Sequence, residues 1–138
     1  MAFTKVGETN RTRPSGRNCL MVFGYEDAAL ATLESIRKEI GIDEIIPLSA
    51  GRLGNTLAEI LENETLEKPY EKEIPGPVGV FSAVSDYELN TFLNRFRESG
   101  LKKALFAVVT PTSRNWRFGD LASELARERK AMSKTPSR

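Results

Sequence analysis

Short apolar runs typical of buried strands alternate with apolar stripes at helical spacing along this chain, and the alternation occurs twice. A first strand is predicted at Cys19–Phe23, and the helix after it carries its apolar stripe over 29–40 and stops at Gly41. Unbroken apolar runs indicate buried strands, and glycine commonly ends helices because it tolerates a positive φ. A strand at 44–48 and a shorter helix over 53–61 complete a β-α-β-α unit.

The same order of elements returns after a charged connector at 62–77. A strand is predicted at 78–81, and a helix follows it over 85–100, opened by a capping box from Ser85 to Glu88. A strand at 104–109 and a final helix complete the second unit. Because a shift of 59 residues also aligns Asp27 with Asp86 and Gly41 with Gly100, we predict an internal duplication.

Alternating strands and helices predict an α/β fold in which helices cover a four-stranded sheet. Two topologies fit a duplicated β-α-β-α unit. In the favoured one, all strands are parallel in the order 2-1-3-4 with helices on both faces, as in doubly wound folds. In the alternative, the two halves run antiparallel, as in a ferredoxin-like plait. The parallel sheet is favoured because the second helix offers a crossover between the second and third strands, which a plait joins by a hairpin.

The 138 residues have the length of one domain. We predict a single domain over 18–130 that contains the duplicated halves 19–61 and 78–126, with a flexible basic arm over 1–17 and a basic tail over 131–138. The arm carries four cations against one glutamate, and residues 127–138 carry five against one. Basic ends keep termini solvated, and they also fit an acidic partner. Nucleic acid is therefore a candidate partner, which the acidic body of the chain disfavours.

The residue types that most often carry catalysis or bind metals are scarce in this chain. It has no histidine, and its one cysteine, Cys19, opens an apolar strand and is expected to be a buried structural thiol. Ordinary zinc sites and Cys–His catalysis are thereby excluded, and no standard phosphate-binding glycine motif is present. We therefore expect no cofactor, no metal and no catalytic residue. The cysteine content and the lack of a long apolar run predict a cytoplasmic protein without a membrane span.

The turn that follows the predicted fourth strand is the strongest candidate for a ligand or partner site. Tryptophan and arginine are enriched at interface hot spots, and polar groups at the end of a strand often line ligand sites. The structural interpretation is that the asparagine caps the last helix and the tryptophan closes the edge of the core. The candidate residues in this turn are Thr110, Thr112, Ser113, Arg114, Asn115 and Trp116.

The corresponding turn of the first half offers Ser49 and Arg52 beside Gly51 and Gly54. Such a turn presents backbone amides to an anion, although a simple connection between elements is the commoner reason for glycines there. The topology decides whether the two turns act together. In a parallel sheet both lie along one edge and form a joint site, whereas in a plait they separate.

The Thr110-Pro111 pair and Trp116, set between the strand at 104–109 and a closing amphipathic helix, resemble a bacterial and archaeal family known as Domain of Unknown Function 3783. The likeness covers about residues 19–130 and includes the phenylalanine strand and the acid-rich helix start. Thr110, Pro111 and Trp116 match positions of the family's motif. Because the family has no assigned activity, the resemblance implies no catalytic residue.

These observations lead us to expect a non-enzymatic accessory protein that binds a protein partner or self-associates through the turn at 110–116. A domain that senses a small anionic metabolite or nucleotide at Ser49 and Thr110 is the first alternative. Nucleic-acid binding through the basic termini is the second.

Overall fold

The structure is a computed structural model that describes residues 10–134, with side chains described to residue 130. The predicted elements form in the predicted order. The strands are β1 (Cys19–Phe23), β2 (Ile45–Pro47), β3 (Val78–Ser82) and β4 (Leu105–Val108), and the helices are α1 (Asp27–Ile40), α2 (Leu57–Leu61), α3 (Asp86–Glu98) and α4 (Phe118–Lys134). Short 3-10 helices at Ala50–Arg52 and Ser113–Asn115 precede α2 and α4.

The four strands form one mixed sheet in the order β2-β1-β3-β4, which confirms the α/β class and the predicted strand order. Strands β1 and β2 are parallel, as are β3 and β4, but β1 and β3 are antiparallel, with Met21 opposite Val80. The prediction of a fully parallel sheet is therefore wrong. The strand order follows the favoured topology, and the antiparallel relation of the halves follows the alternative.

The crossover helix that the parallel prediction relied on does not form at the required length. That prediction used the second helix as a crossover from the end of β2 back to the start of β3. The five residues of α2 span only about 7 Å, whereas a five-residue strand spans about 17 Å. The irregular connector at 62–77 instead brings the chain to β3 at the end of the sheet where β1 finishes, since Val78 pairs with Phe23.

Helices cover both faces of the sheet. On one face, α1 and α3 pack on Leu20, Val22 and Phe81. The rings of Phe81, Phe92, Phe96 and Phe106 cluster there with centroids 5.0–6.5 Å apart. On the other face, α2 and α4 cover a second cluster, to which the sheet contributes Cys19, Met21, Val78 and Val80. Burial raises the pKa of the Cys19 thiol to about 12, as expected for a structural cysteine.

Local signals in the sequence place the ends of the helices correctly. The predicted capping box is confirmed, because Ser85 Oγ accepts from the Glu88 amide at 3.0 Å and Glu88 Oε1 accepts from the Ser85 amide at 2.9 Å. The predicted stop of α1 is also confirmed, since Gly41 has a φ of 104°. None of the helices in residues 10–134 has the length and hydropathy of a membrane-spanning segment.

Residues 10–17 of the predicted arm lie against the domain, and residues 1–9 lie outside the described part of the chain. Arg13 binds the buried Glu88 carboxylate at 2.6 Å, and Arg17 binds Glu44 at 2.5 Å. The guanidinium of Arg11 lies 3.7 Å from the centre of the Tyr87 ring. The arginines at 11, 13 and 17 thus contact side chains of the domain.

Glu88 joins this N-terminal segment to the capping box of α3. Besides Arg13 and Ser85, it accepts a hydrogen bond from Asn18 Nδ2 at 3.2 Å. Burial by itself would raise the pKa of Glu88, but the hydrogen bonds from Arg13, Ser85 and Asn18 outweigh it and lower the pKa. A lowered carboxyl pKa stabilises the fold above the pKa of the unfolded chain, and this stabilisation is lost as the pH falls through the folded-state pKa.

We therefore expect Glu88→Gln to lower the free energy of unfolding at pH 7 by about 2 kcal/mol, because it leaves Arg13 facing a neutral side chain. The difference from the wild type should shrink as the pH falls below the usual glutamate pKa of about 4.3. Urea unfolding between pH 7 and pH 3 measures both effects. Glu98→Gln, at an exposed position of the same helix, is the control and should change stability little. A difference between Glu88→Gln and wild type that stays constant with pH would contradict this role.

Candidate functional site

The two predicted candidate turns lie at opposite ends of the sheet. Ser49 follows β2 and Thr110 follows β4, and these two strands run in opposite directions. The shared edge of a parallel sheet does not form. Ser49 is exposed, and its carbonyl accepts a hydrogen bond from the Arg52 amide at 3.0 Å.

The chain beyond each turn nevertheless runs back across the face that α2 and α4 cover, and there the two halves meet. Thr56 and Arg117 form an isolated antiparallel bridge. The Leu57 amide donates to the Trp116 carbonyl at 3.0 Å, and the Phe118 amide donates to the Asn55 carbonyl at 2.8 Å. We call the paired segments 53–57 and 116–119 the crossing. The crossing fixes the start of α2 against the start of α4.

Asn55 is the buried polar residue of the crossing, with a fully buried side chain. Its Nδ2 donates to Glu59 Oε1 at 3.2 Å and to the Leu66 carbonyl at 3.1 Å. Its Oδ1 accepts from the Lys68 amide at 3.1 Å and from Arg52 Nε at 3.3 Å. Asn55 was not among the residues predicted from the sequence. It stands directly before a Thr-x-x-Glu capping box, which is a signal for the start of α2.

Arg52 and Arg114, two of the predicted candidates, each bind acceptors of the protein itself. Arg52 donates to the Glu64 carbonyl at 2.9 Å, and Arg114 donates to Glu62 Oε2 at 2.7 Å. Both acceptors belong to the start of the connector that follows α2. The two arginines therefore fasten this segment to the turns.

Thr110 and Ser113 hold the second turn in shape through reciprocal hydrogen bonds. The Ser113 amide donates to Thr110 Oγ1 at 3.0 Å, and the Thr110 amide donates to Ser113 Oγ at 2.9 Å. Ser113 is buried, whereas Thr112 and Asn115 are exposed. Asn115 lies outside α4, which begins at Phe118. The hydrogen bonds between Thr110 and Ser113 thus fix the turn that carries the exposed Thr112 and Asn115 towards Trp116.

Trp116 is 38% exposed and lines a groove of about 420 Å³. We call this surface the Trp116 groove. No group among the described residues accepts a hydrogen bond from the indole N–H. The groove is lined by Tyr70, Lys72, Asn115, Trp116, Arg117, Asp120, Ser123, Glu124 and Arg127.

Tyr70 and Arg117 form the wall of the groove beside Trp116. The guanidinium of Arg117 lies 4.9 Å from the centre of the Tyr70 ring, and the Tyr70 hydroxyl donates to Asp120 Oδ1 at 2.8 Å. Arg117 also binds Asp120 at 3.0 Å and Glu71 at 3.0 Å. These bonds fix an aromatic ring and a cation in one geometry.

The electrostatics of this wall follow from the same contacts. Hydrogen bonds from Arg117 and Tyr70 lower the pKa of Asp120. Burial is the largest cause of the raised pKa of the Tyr70 hydroxyl. Asp120 is therefore ionised and Tyr70 protonated at neutral pH, which is the arrangement that keeps both hydrogen bonds.

The comparisons with known proteins identify one relationship. The model of a family described as a domain of unknown function (DUF3783) matches residues 77–132, which run from the start of β3 into α4. The resemblance stated above is thus confirmed for the second half, and the turn at 110–116 lies within the match. No curated protein and no solved structure matches the chain.

The Tyr70 ring packs directly on Gly119, which gives a test of how the wall is built. A Cβ at Gly119 would lie 2.6 Å from Tyr70 Cδ1, so Gly119→Ala must displace the ring. We expect a loss of about 2 kcal/mol in the free energy of unfolding and a changed Trp116 fluorescence. In a Tyr70→Ala background, the same change should be neutral or stabilising by up to about 1 kcal/mol, because alanine favours a helix. Equal costs in the two backgrounds, measured by urea unfolding, would contradict the packing.

Proposed function

We propose from the geometry that the protein is a non-enzymatic interaction protein, since the family model that residues 77–132 match describes a domain of unknown function. It binds a protein partner at the Trp116 groove. The observation that carries the proposal is a half-exposed indole beside a Tyr70–Arg117 pair that two carboxylates hold in place. Tryptophan, tyrosine and arginine are enriched at the hot spots of protein interfaces, and a fixed geometry reduces the entropy lost on binding.

The groove also indicates what the partner must provide. The indole N–H requires an acceptor when a partner covers the ring, and a peptide carbonyl is the acceptor available on every protein segment. The indole face offers an apolar surface on which a side chain of the partner can pack. We therefore infer a partner segment that presents an apolar residue and a neighbouring backbone carbonyl to Trp116.

The ionisable groups of the groove support binding rather than acid–base catalysis. Arg117 is held by Glu71 and Asp120, and Arg127 is paired with Glu124. Asp120, with its lowered pKa, is a weak proton acceptor at neutral pH. These charged side chains form ion pairs with one another, and the pairs hold the binding surface in one geometry.

The two alternative functions rank lower on geometric grounds. The sensor needs the turns at Ser49 and Thr110 together, but these lie at opposite ends of the sheet. Nucleic-acid binding needs available cations in the arm, but Arg13 and Arg17 are paired with Glu88 and Glu44. The last cations of the predicted tail lie outside the described side chains.

We also retain two further proposals from the sequence. An origin by duplication is supported by the recurring order of elements, by the antiparallel β1–β3 pair and by the Thr56–Arg117 bridge in the crossing. A cytoplasmic location is supported by the single buried cysteine.

The interaction is tested by affinity capture from a native extract with wild type, Trp116→Ala and Leu66→Ala. Leu66 is 65% exposed and lies outside the groove, so its variant controls for loss of any exposed apolar residue. We expect a protein captured by wild type and by Leu66→Ala but not by Trp116→Ala. That protein, once purified, should bind Trp116→Ala about 30-fold more weakly by calorimetry, the effect of losing a hot spot of about 2 kcal/mol. Identical capture by all three forms, or a captured protein that does not bind when purified, would refute the proposal.

A further inference from the structure

The outer edge of β4 is an open edge of the sheet. The Leu105 amide donates inward to the carbonyl of Pro77, just before β3, and the Val109 amide donates to the carbonyl of Phe81 on β3. Because backbone direction alternates along a strand, the N–H and C=O groups of Phe106 and Val108 point outward. No strand among residues 10–134 pairs with this outer side.

This edge lacks two of the features that usually prevent pairing between proteins, since the four residues of β4 include neither a charge nor a proline. Proteins protect edge strands with charges, prolines or very short strands. The opposite edge follows this rule, since β2 has three residues and ends at Pro47. Val108 of β4 is 41% exposed. The edge of β4 is thus available to another strand.

An apolar cleft of about 150 Å³ lies beside the same edge, on the face that α3 covers. Leu89 and Leu93 of α3 form one wall of the cleft, and Phe106 and Val108 of β4 line it from the sheet. The leucines, spaced four residues apart, belong to one stripe of the helix. Asp86 stands at the start of that stripe and the exposed Arg97 at its end.

From these features we propose that β4 pairs antiparallel with β4 of a second copy of this chain. The twofold axis passes through Ala107, so that Phe106 of each copy lies opposite Val108 of the other. This register uses all the outward N–H and C=O groups of both residues in reciprocal hydrogen bonds. It also places each Val108 beside the apolar cleft of the other copy, and the small Ala107 side chains allow close approach at the axis.

The charges favour a second copy over an unrelated strand. The twofold that pairs the strands also sets the two α3 helices antiparallel, because both stay on the same face of the extended sheet. Along the strand direction, Leu89 and Leu93 lie at the same height as Phe106 and Val108, because all four side chains line the same cleft. Asp86 of one copy therefore comes to the end of the stripe where the other copy carries Arg97. The β4 edges of two copies are thus complementary in their hydrogen-bonding groups, their apolar surfaces and their charges.

The pairing is tested first by sedimentation velocity of the full chain over a wide concentration range. We expect the wild type to form a dimer as concentration rises. Val108→Lys should weaken the dimer about tenfold or more, because it places a cation next to the twofold axis of the pairing edge. Leu66→Lys adds the same charge at an exposed position elsewhere and should leave the dimer unchanged. A wild type that stays monomeric throughout, or a dimer that Val108→Lys leaves intact, would overturn the proposal.

The register is tested separately with a cysteine at the axis. Residues in a non-hydrogen-bonded antiparallel pair have Cα atoms about 4.5 Å apart, within the range of a disulfide. Ala107→Cys should therefore become a covalent dimer under mild oxidation, whereas Leu66→Cys should not cross-link at the same concentration. Failure of Ala107→Cys to cross-link under conditions where the wild type is dimeric would overturn the register. Trp116→Ala should dimerise like the wild type, which separates this surface from the proposed partner site.

Discussion

The backbone pairing of Thr56 with Arg117 is the interaction on which the arrangement of the rest depends. The β-sheet alone leaves the ends of β2 and β4 far apart, at opposite ends of the molecule. The three backbone hydrogen bonds of the crossing bring the following segments together and place α2 and α4 side by side over the same core. Buried backbone groups require partners, and each half supplies those that the other half lacks.

The connector is fixed to this crossing rather than looped loosely around it. The Gly54 amide donates to the Lys68 carbonyl at 2.6 Å, and a Cβ at Gly54 would lie 2.5 Å from that oxygen. Glycine is thus required there for the close approach of two backbones. Asn55 adds side-chain bonds to Leu66 and Lys68, and the chain then reaches Tyr70, which packs on Gly119. The Trp116 groove exists because the connector is held along this path.

Features encoded within a few residues could be predicted from the sequence, and features that depend on distant contacts could not. Apolar runs placed the strands, and the Ser85–Glu88 box and Gly41 placed helix ends, because each depends on local backbone chemistry. The direction of β3 depends on the path of sixteen irregular residues, for which no periodic pattern exists. The candidate site divides in the same way. Trp116 was identified from its residue type, whereas Tyr70 lies 50 residues from its partner Asp120 in a segment that has no pattern of its own.

The two proposed surfaces lie on opposite layers of the molecule, and this has a consequence for binding. The Trp116 groove belongs to the layer of α2 and α4, and the Leu89–Leu93 stripe belongs to the layer of α3. Because the twofold axis is perpendicular to the sheet, both grooves face the same side of the extended sheet. A partner with two copies of the recognised segment would bind both grooves at once, and the second contact would form at a high effective concentration. Pairing at β4 would in this way strengthen a weak interaction at Trp116 without any change in the groove itself.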